Sequence, residues 1–172
     1  MFKNTIFRRM TALVLTLALA AAAALPGLAV YPMPIQTASE TEAVYLFNAD
    51  TGKTILNQNA DQQQYVASLT KLMTALLLLE SGKDLNGEVT VPIALTQEFR
   101  DIQNANGTTM GLRIGETVRR IDLLNAMLIV SANDAASVIA YDVGGSVLDF
   151  VKQMNARAQE LGCTGTNFTC EI

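Results

Sequence analysis

Two short stretches carry side chains that can do nucleophilic chemistry without a histidine, and the chain has no histidine at all. The first is Ser68-Leu69-Thr70-Lys71, which opens the run Leu72-Met73-Thr74-Ala75-Leu76-Leu77-Leu78-Leu79. On an α-helix residues i and i+3 share a face, their Cβ atoms roughly 5–6 Å apart. A serine hydroxyl and a lysine amine so placed form a nucleophile and its base, provided that burial lowers the lysine's hold on its proton. The second stretch is Ser131-Ala132-Asn133, a hydroxyl and a carboxamide two positions apart at a break between apolar helices. Each is bland alone: a Ser-x-x-Lys arises by chance roughly once in a chain of this length, and Ser and Asn are ordinary capping residues. Their conjunction in a chain without histidine is the informative observation.

The elements that position these groups follow from periodicity and turn chemistry. Glu42 to Phe47 and Thr54 to Gln58 read as two strands joined by the turn Asn48-Ala49-Asp50-Thr51-Gly52-Lys53, a β-hairpin. The helix opened by Ser68 is expected to reach about Ser81, with Gly82 as its C-terminal cap. Its apolar residues lie all round the axis, which predicts burial on every side. Asp84 to Pro92 holds a turn and a short strand, Ile93 to Arg100 a helix, Asp101 to Thr109 a polar loop, and Leu112 to Val118 a small strand and turn. A second apolar helix spans Ile121 to Val130. Asn133 and Asp134 are placed to cap the next helix, Ala135 to Tyr141, which Gly144-Gly145 stops. An amphipathic helix from Ser146 to Leu161 ends at Gly162. An isolated hairpin is marginal in water and wants further strands beside it, yet no convincing third long strand is legible.

The N-terminus reads as an address. Lys3, Arg8 and Arg9 precede the uncharged stretch Met10 to Leu25, and Pro26-Gly27-Leu28-Ala29 supplies a breaker and a small-x-small site, the three-part pattern of a secretory signal peptide. Cleavage is expected after Ala29, with Ala22 to Ala24 as the alternative, which divides the chain into a signal peptide over 1–29 and one domain over 30–172. An uncleaved anchor is the competing reading, since Thr11 to Val30 has about the length needed to span a bilayer. The membrane is then a partner only through this segment. An exported location follows, in the cell envelope outside the cytoplasm. The whole chain has a formal charge of −4, and removing the basic leader makes the remainder more acidic, a poor match for nucleic acid. Cys163 and Cys170 could pair in an oxidising compartment. They lack the company of a metal site, and no cofactor or metal is expected.

With these residues in view, the chain resembles the low-molecular-mass penicillin-binding proteins, the serine D-alanyl-D-alanine carboxypeptidases. The likeness runs from about Thr41 to Thr169. It includes the Asp50-Thr51-Gly52-Lys53 turn, Ala67-Ser68-Leu69-Thr70-Lys71-Leu72-Met73-Thr74, Ser131-Ala132-Asn133-Asp134-Ala135-Ala136, Gly144-Gly145-Ser146 and Leu161-Gly162. The resemblance implies an α+β chain, the N-terminal portion of a β-lactamase/transpeptidase-like fold with a hairpin and a helical region. It implies Ser68 as nucleophile, Lys71 as base, Ser131 as a proton relay and Asn133 as a substrate-binding carboxamide. The implied partners are peptidoglycan stem peptides ending in D-Ala-D-Ala, and β-lactam antibiotics as acylating inhibitors.

One departure accompanies the likeness. The family's third motif, Lys-Thr-Gly on a later strand, does not follow Asn133; Lys152 is the sole later lysine and Gln153 follows it. The expectation is an incomplete carboxypeptidase domain that stops before that strand, with no stable acylation of Ser68 by the 172 residues alone. A non-catalytic remnant that binds wall peptides or a partner is the alternative. A class A β-lactamase is a further one, disfavoured by Ala132 where those enzymes carry Asp.

Overall fold

The computed structural model describes residues 41–172, so the expected signal segment over 1–29 lies outside the described residues. Two units are distinguished, Met1–Asn59 and Ala60–Ile172.

In the first unit the β-branched and aromatic runs form the expected hairpin, β1 (Val44–Asn48) against β2 (Lys53–Gln58). The strands are antiparallel, Val44 opposite Gln58 and Leu46 opposite Leu56, with a bulge after Leu46 that brings Phe47 opposite Thr54. The turn closes as its residues dictate: Asn48 Oδ1 accepts from the Thr51 N–H at 2.8 Å, and Gly52 takes φ +68°. Among the described residues this sheet has two strands only. Tyr45 and Phe47, two apart on one face, stack with centroids 6.3 Å apart.

The second unit is mainly helical. A single 3-10 turn, Ala67–Leu69, leads into α1 (Thr70–Glu80). Then come β3 (Glu88–Thr90), a 3-10 turn at Ile93–Leu95, α2 (Thr96–Asn104) and β4 (Thr117–Arg119). The chain continues as α3 (Arg120–Ile129), α4 (Asn133–Gly144) and α5 (Val147–Glu160). β3 and β4 pair antiparallel with Val89 opposite Val118, a second short sheet that the sequence shows only as isolated strand fragments.

The helix buried on every side is α4 rather than α1. Every residue from Asp134 to Ala140 is buried. Its small side chains, Ala135, Ala136, Ser137 and Ala140, let α1, α2, α3 and α5 approach its axis closely. In α1 only Thr70, Lys71, Thr74, Ala75 and Leu78 are buried, one stripe at helical spacing, while Leu72 and Leu79 are more than half exposed. The all-round apolar run therefore misled: three- and four-residue spacing, not total hydrophobicity, decides which face a helix buries. The core joins Leu78 of α1, Leu123, Leu124 and Met127 of α3, and Val138 and Ile139 of α4. A smaller cluster seats Phe150, Val151 and Met154 of α5 against Ala140.

Other expectations shift at their ends. α2 continues through Asn104 into the expected polar loop, because Ile102 is buried and Gln97 bonds Asp101 one turn on. Asn133 and Asp134 do not cap α4; Ala132 holds the cap position without a side-chain bond, and both residues are already helical. Gly145 ends α4 at φ +76°, and Ser146 caps α5 by accepting the Asp149 N–H at 3.0 Å. Cys163 and Cys170 are both free thiols.

Candidate active site

Ser68 lies in the 3-10 turn at the mouth of α1 and Ser131 in the short link between α3 and α4. These two turns bring together serines 63 positions apart: Ser131 Oγ donates to Ser68 Oγ at 2.8 Å. Both turns hold backbone in the left-handed region without glycine. Ala67, just before the nucleophile candidate, has φ +46°, and Ser131 itself has φ +60°. Such conformations cost about 1–3 kcal/mol each for non-glycine residues and persist only where surrounding structure enforces them. Here α1, α3 and α4 pack on one another behind the two turns.

Lys71 occupies the first turn of α1 on its buried stripe, 3% exposed. Burial pushes its ammonium below the usual lysine range, while its neighbours Cys170 and Glu171 act in the opposite direction. Among the described residues it forms no ion pair, and no hydrogen bond joins its amine to either serine hydroxyl. Catalytic hydrogen bonds are commonly loose before substrate arrives, so this geometry is compatible with a base. Ser68, Lys71 and Ser131 line one open cleft of about 390 Å³, walled by Val66, Leu69, Leu72, Met127 and Leu128.

Asn133 does not line that cleft. Its backbone N–H donates to the Thr108 carbonyl at 2.8 Å, and its carboxamide lies against Gly107, where an added Cβ would come within 2.8 Å of Nδ2. Of the four residues singled out in the sequence, three therefore converge and the fourth sits beside them, facing the loop after α2.

That loop is fastened by a residue the sequence reading took for a helix cap. Asp134, 2% exposed, accepts the N–H groups of Met110 and Ala135 on Oδ1 and those of Gly111 and Leu112 on Oδ2, all at 2.9–3.0 Å. The carboxylate thus pins residues 110–112 against the start of α4, directly behind the Ser131-Ala132-Asn133 link.

Residues 32–171 match the family model of the peptidase S11 D-alanyl-D-alanine carboxypeptidases. The chain belongs to this family. It is similar to the D-alanyl-D-alanine carboxypeptidase DacF of Bacillus subtilis, 34% identical over 139 residues that cover 77% of this chain and 33% of that protein. It is similar also to a D-alanyl-D-alanine endopeptidase of Pseudomonas aeruginosa, 35% identical over 79% of this chain and 42% of the relative. Among solved structures the Streptomyces K15 DD-transpeptidase superposes with a TM-score of 0.67 at 30% identity, covering 75% of this chain and 52% of that one. The chain thus spans about a third to two fifths of the curated relatives and about half of the solved one. Its α+β architecture is the N-terminal portion of that fold.

Within the family frame, two features of the site escaped the sequence reading. Asp134 gave a faint signal, an acid in the first turn of a helix. Glu171 gave none: a lone carboxylate in a polar stretch offers no hint that the fold buries it to 1% exposure.

Proposed function

We propose that this chain carries the nucleophilic half of a serine D-Ala-D-Ala carboxypeptidase site acting on peptidoglycan stem peptides outside the cytoplasm. The observation that carries the reading is the 2.8 Å bond between the Ser68 and Ser131 hydroxyls in a cleft lined by the buried Lys71. In the proposed reaction Ser68 Oγ attacks the carbonyl carbon between the two terminal D-alanines and its proton passes to the Lys71 amine. The Ser68 N–H, at the head of α1, donates to the developing oxyanion. The C–N bond then breaks, and the proton returns through the Ser131 hydroxyl to the departing D-alanine amine. Water cleaves the resulting ester and regenerates Ser68. Asn133 holds the substrate's amide once it turns from Gly107 toward the cleft. β-Lactams acylate the same oxygen. In domain terms, residues 1–29 are the export signal and 30–172 belong to the transpeptidase-like domain.

A base must be uncharged to act, so the acylation rate is expected to rise with pH through the lowered titration of Lys71. The test is release of D-alanine from a stem-peptide analogue ending in D-Ala-D-Ala. The enzyme is a fusion in which residues 30–172 are continued by the C-terminal remainder of the Bacillus subtilis relative. Release that depends on Ser68 and Lys71, lost in Ser68→Ala and in Lys71→Ala, supports the reading. Release undiminished in either variant overturns it.

A further inference from the structure

Glu171 is the most enclosed carboxylate among the described residues, 1% exposed. An ionised carboxylate is not buried cheaply without partners, and its partners lie on the two helices of the candidate site. Its backbone carbonyl accepts from Thr74 Oγ1 at 2.7 Å, and its Oε1 accepts from Ser137 Oγ at 2.8 Å. Thr74 sits one turn beyond Lys71 on the same buried stripe of α1. Ser137 sits one turn beyond Asn133 on α4, and its hydroxyl also lies 3.2 Å from the Asn133 carbonyl. One residue is therefore bonded to both helices, each time a single turn beyond a residue of the proposed site, Lys71 or Asn133.

The charges around this point are few. Lys71 has no ion-pair partner among the described residues; the groups acting on it are Cys170 and Glu171. From α2 the Glu98 carboxyl meets the same Glu171, and burial, Glu171 and Asp101 in that order raise it above the usual carboxyl range.

We infer that Glu171 is a positioning residue for the serine–lysine pair: through Thr74 and Ser137 it ties the helix of Lys71 to the helix of Asn133. This rests on the reading of Lys71 as the base. Burial favours the neutral amine while Cys170 and, after it, Glu171 favour the ammonium, so removing the Glu171 charge moves the pH at which the lysine becomes a base. Glu171→Gln separates scaffolding from charge, because the amide keeps a carbonyl oxygen for Ser137 and loses only the negative charge.

The test is an NMR titration of Lys71 in the full chain, followed at Cε in lysine-labelled protein and assigned with Lys71→Arg. Glu171→Gln is expected to lower the titration midpoint of Lys71 while the far-ultraviolet circular dichroism stays that of the parent. An unchanged midpoint in a folded variant overturns the inference. Should Glu171→Gln fail to fold, Ser137→Ala decides: it removes the hydroxyl that holds Glu171 Oε1, the Lys71 midpoint is expected to shift from that of the parent, and an unchanged midpoint overturns the inference. Both measurements need no substrate. A failure of the acyl-transfer reading would instead appear as unaltered D-alanine release in Ser68→Ala.

Discussion

Replacing Asp134 by alanine removes four hydrogen bonds at one stroke, and the structure allows the cost to be worked out. Oδ1 and Oδ2 each accept two backbone N–H groups, at 2.9–3.0 Å, from Met110, Gly111, Leu112 and Ala135. A hydrogen bond to a charged group contributes about 1.5–3 kcal/mol net, and a donor left buried without a partner costs about 1–3 kcal/mol. Met110, Gly111 and Leu112 lie in a loop at or near the surface, where water can replace much of what they lose. Ala135 is fully buried and has no such recourse. Summing one stranded donor with partial losses at the other three gives roughly 3–5 kcal/mol, against a total stability of about 5–15 kcal/mol for an ordinary domain. Urea unfolding of Asp134→Ala beside the parent reads this directly, provided that both unfold with the same dependence on denaturant. Asp134→Asn, which keeps one acceptor oxygen but aims an amide donor at the loop's N–H groups, is expected to fall between them. Hydrogen exchange at residues 110–112 should accelerate in both variants. A loss below about 1 kcal/mol for Asp134→Ala would refute the reasoning, since even the single stranded donor accounts for that much.

Gly144→Ala is expected to destabilise by at least the upper end of the ~1–3 kcal/mol range for overpacking, because the new Cβ would lie 2.7–2.8 Å from the Cβ, Cα and N of Phe150; thermal unfolding checks it. Gly107→Ala meets Asn133 Nδ2 at 2.8 Å and the Ile102 Cγ2 and carbonyl at 3.0–3.1 Å. It is expected to cost about 1–3 kcal/mol and to shift the Asn133 side-chain amide resonances. Asp142, 10% exposed, is held by two bonds from Arg120 and by Lys83. Burial alone would raise its carboxyl, but these cations carry it below the usual range. A depressed carboxyl stabilises the fold above its unfolded titration near 3.9 and loses that contribution as pH falls through the folded value. Asp142→Asn should therefore be less stable than the parent at neutral pH, with the gap narrowing below about pH 4.

What was legible in the sequence was whatever depends on local spacing. The hairpin turn followed from Asn48 and Gly52, the end of α4 from Gly145, the start of α5 near Ser146, and the nucleophile and base candidates from Ser68 and Lys71. Properties that depend on the whole packing were not legible. A leucine-rich run cannot say that Leu72 and Leu79 face outward while Thr74 and Lys71 face inward, because that choice is made by the small residues of α4. Nor can Asn133-Asp134 announce that the acid, besides taking the Ala135 N–H at its own helix end, fastens a loop more than 20 positions earlier. The left-handed backbone at Ala67 and Ser131 is likewise imposed by the helices around it, since neither residue type prefers that conformation.

The central claim, that Ser68 is an acylated nucleophile, is tested most directly by locating a labelled penicillin on the polypeptide. In the fusion of residues 30–172 with the remainder of the Bacillus subtilis relative, mass spectrometry is expected to find one adduct, on the peptide carrying Ser68. It should be absent in Ser68→Ala and form far more slowly in Lys71→Ala. An adduct that persists in Ser68→Ala, or that forms at the parent rate in Lys71→Ala, would contradict the account.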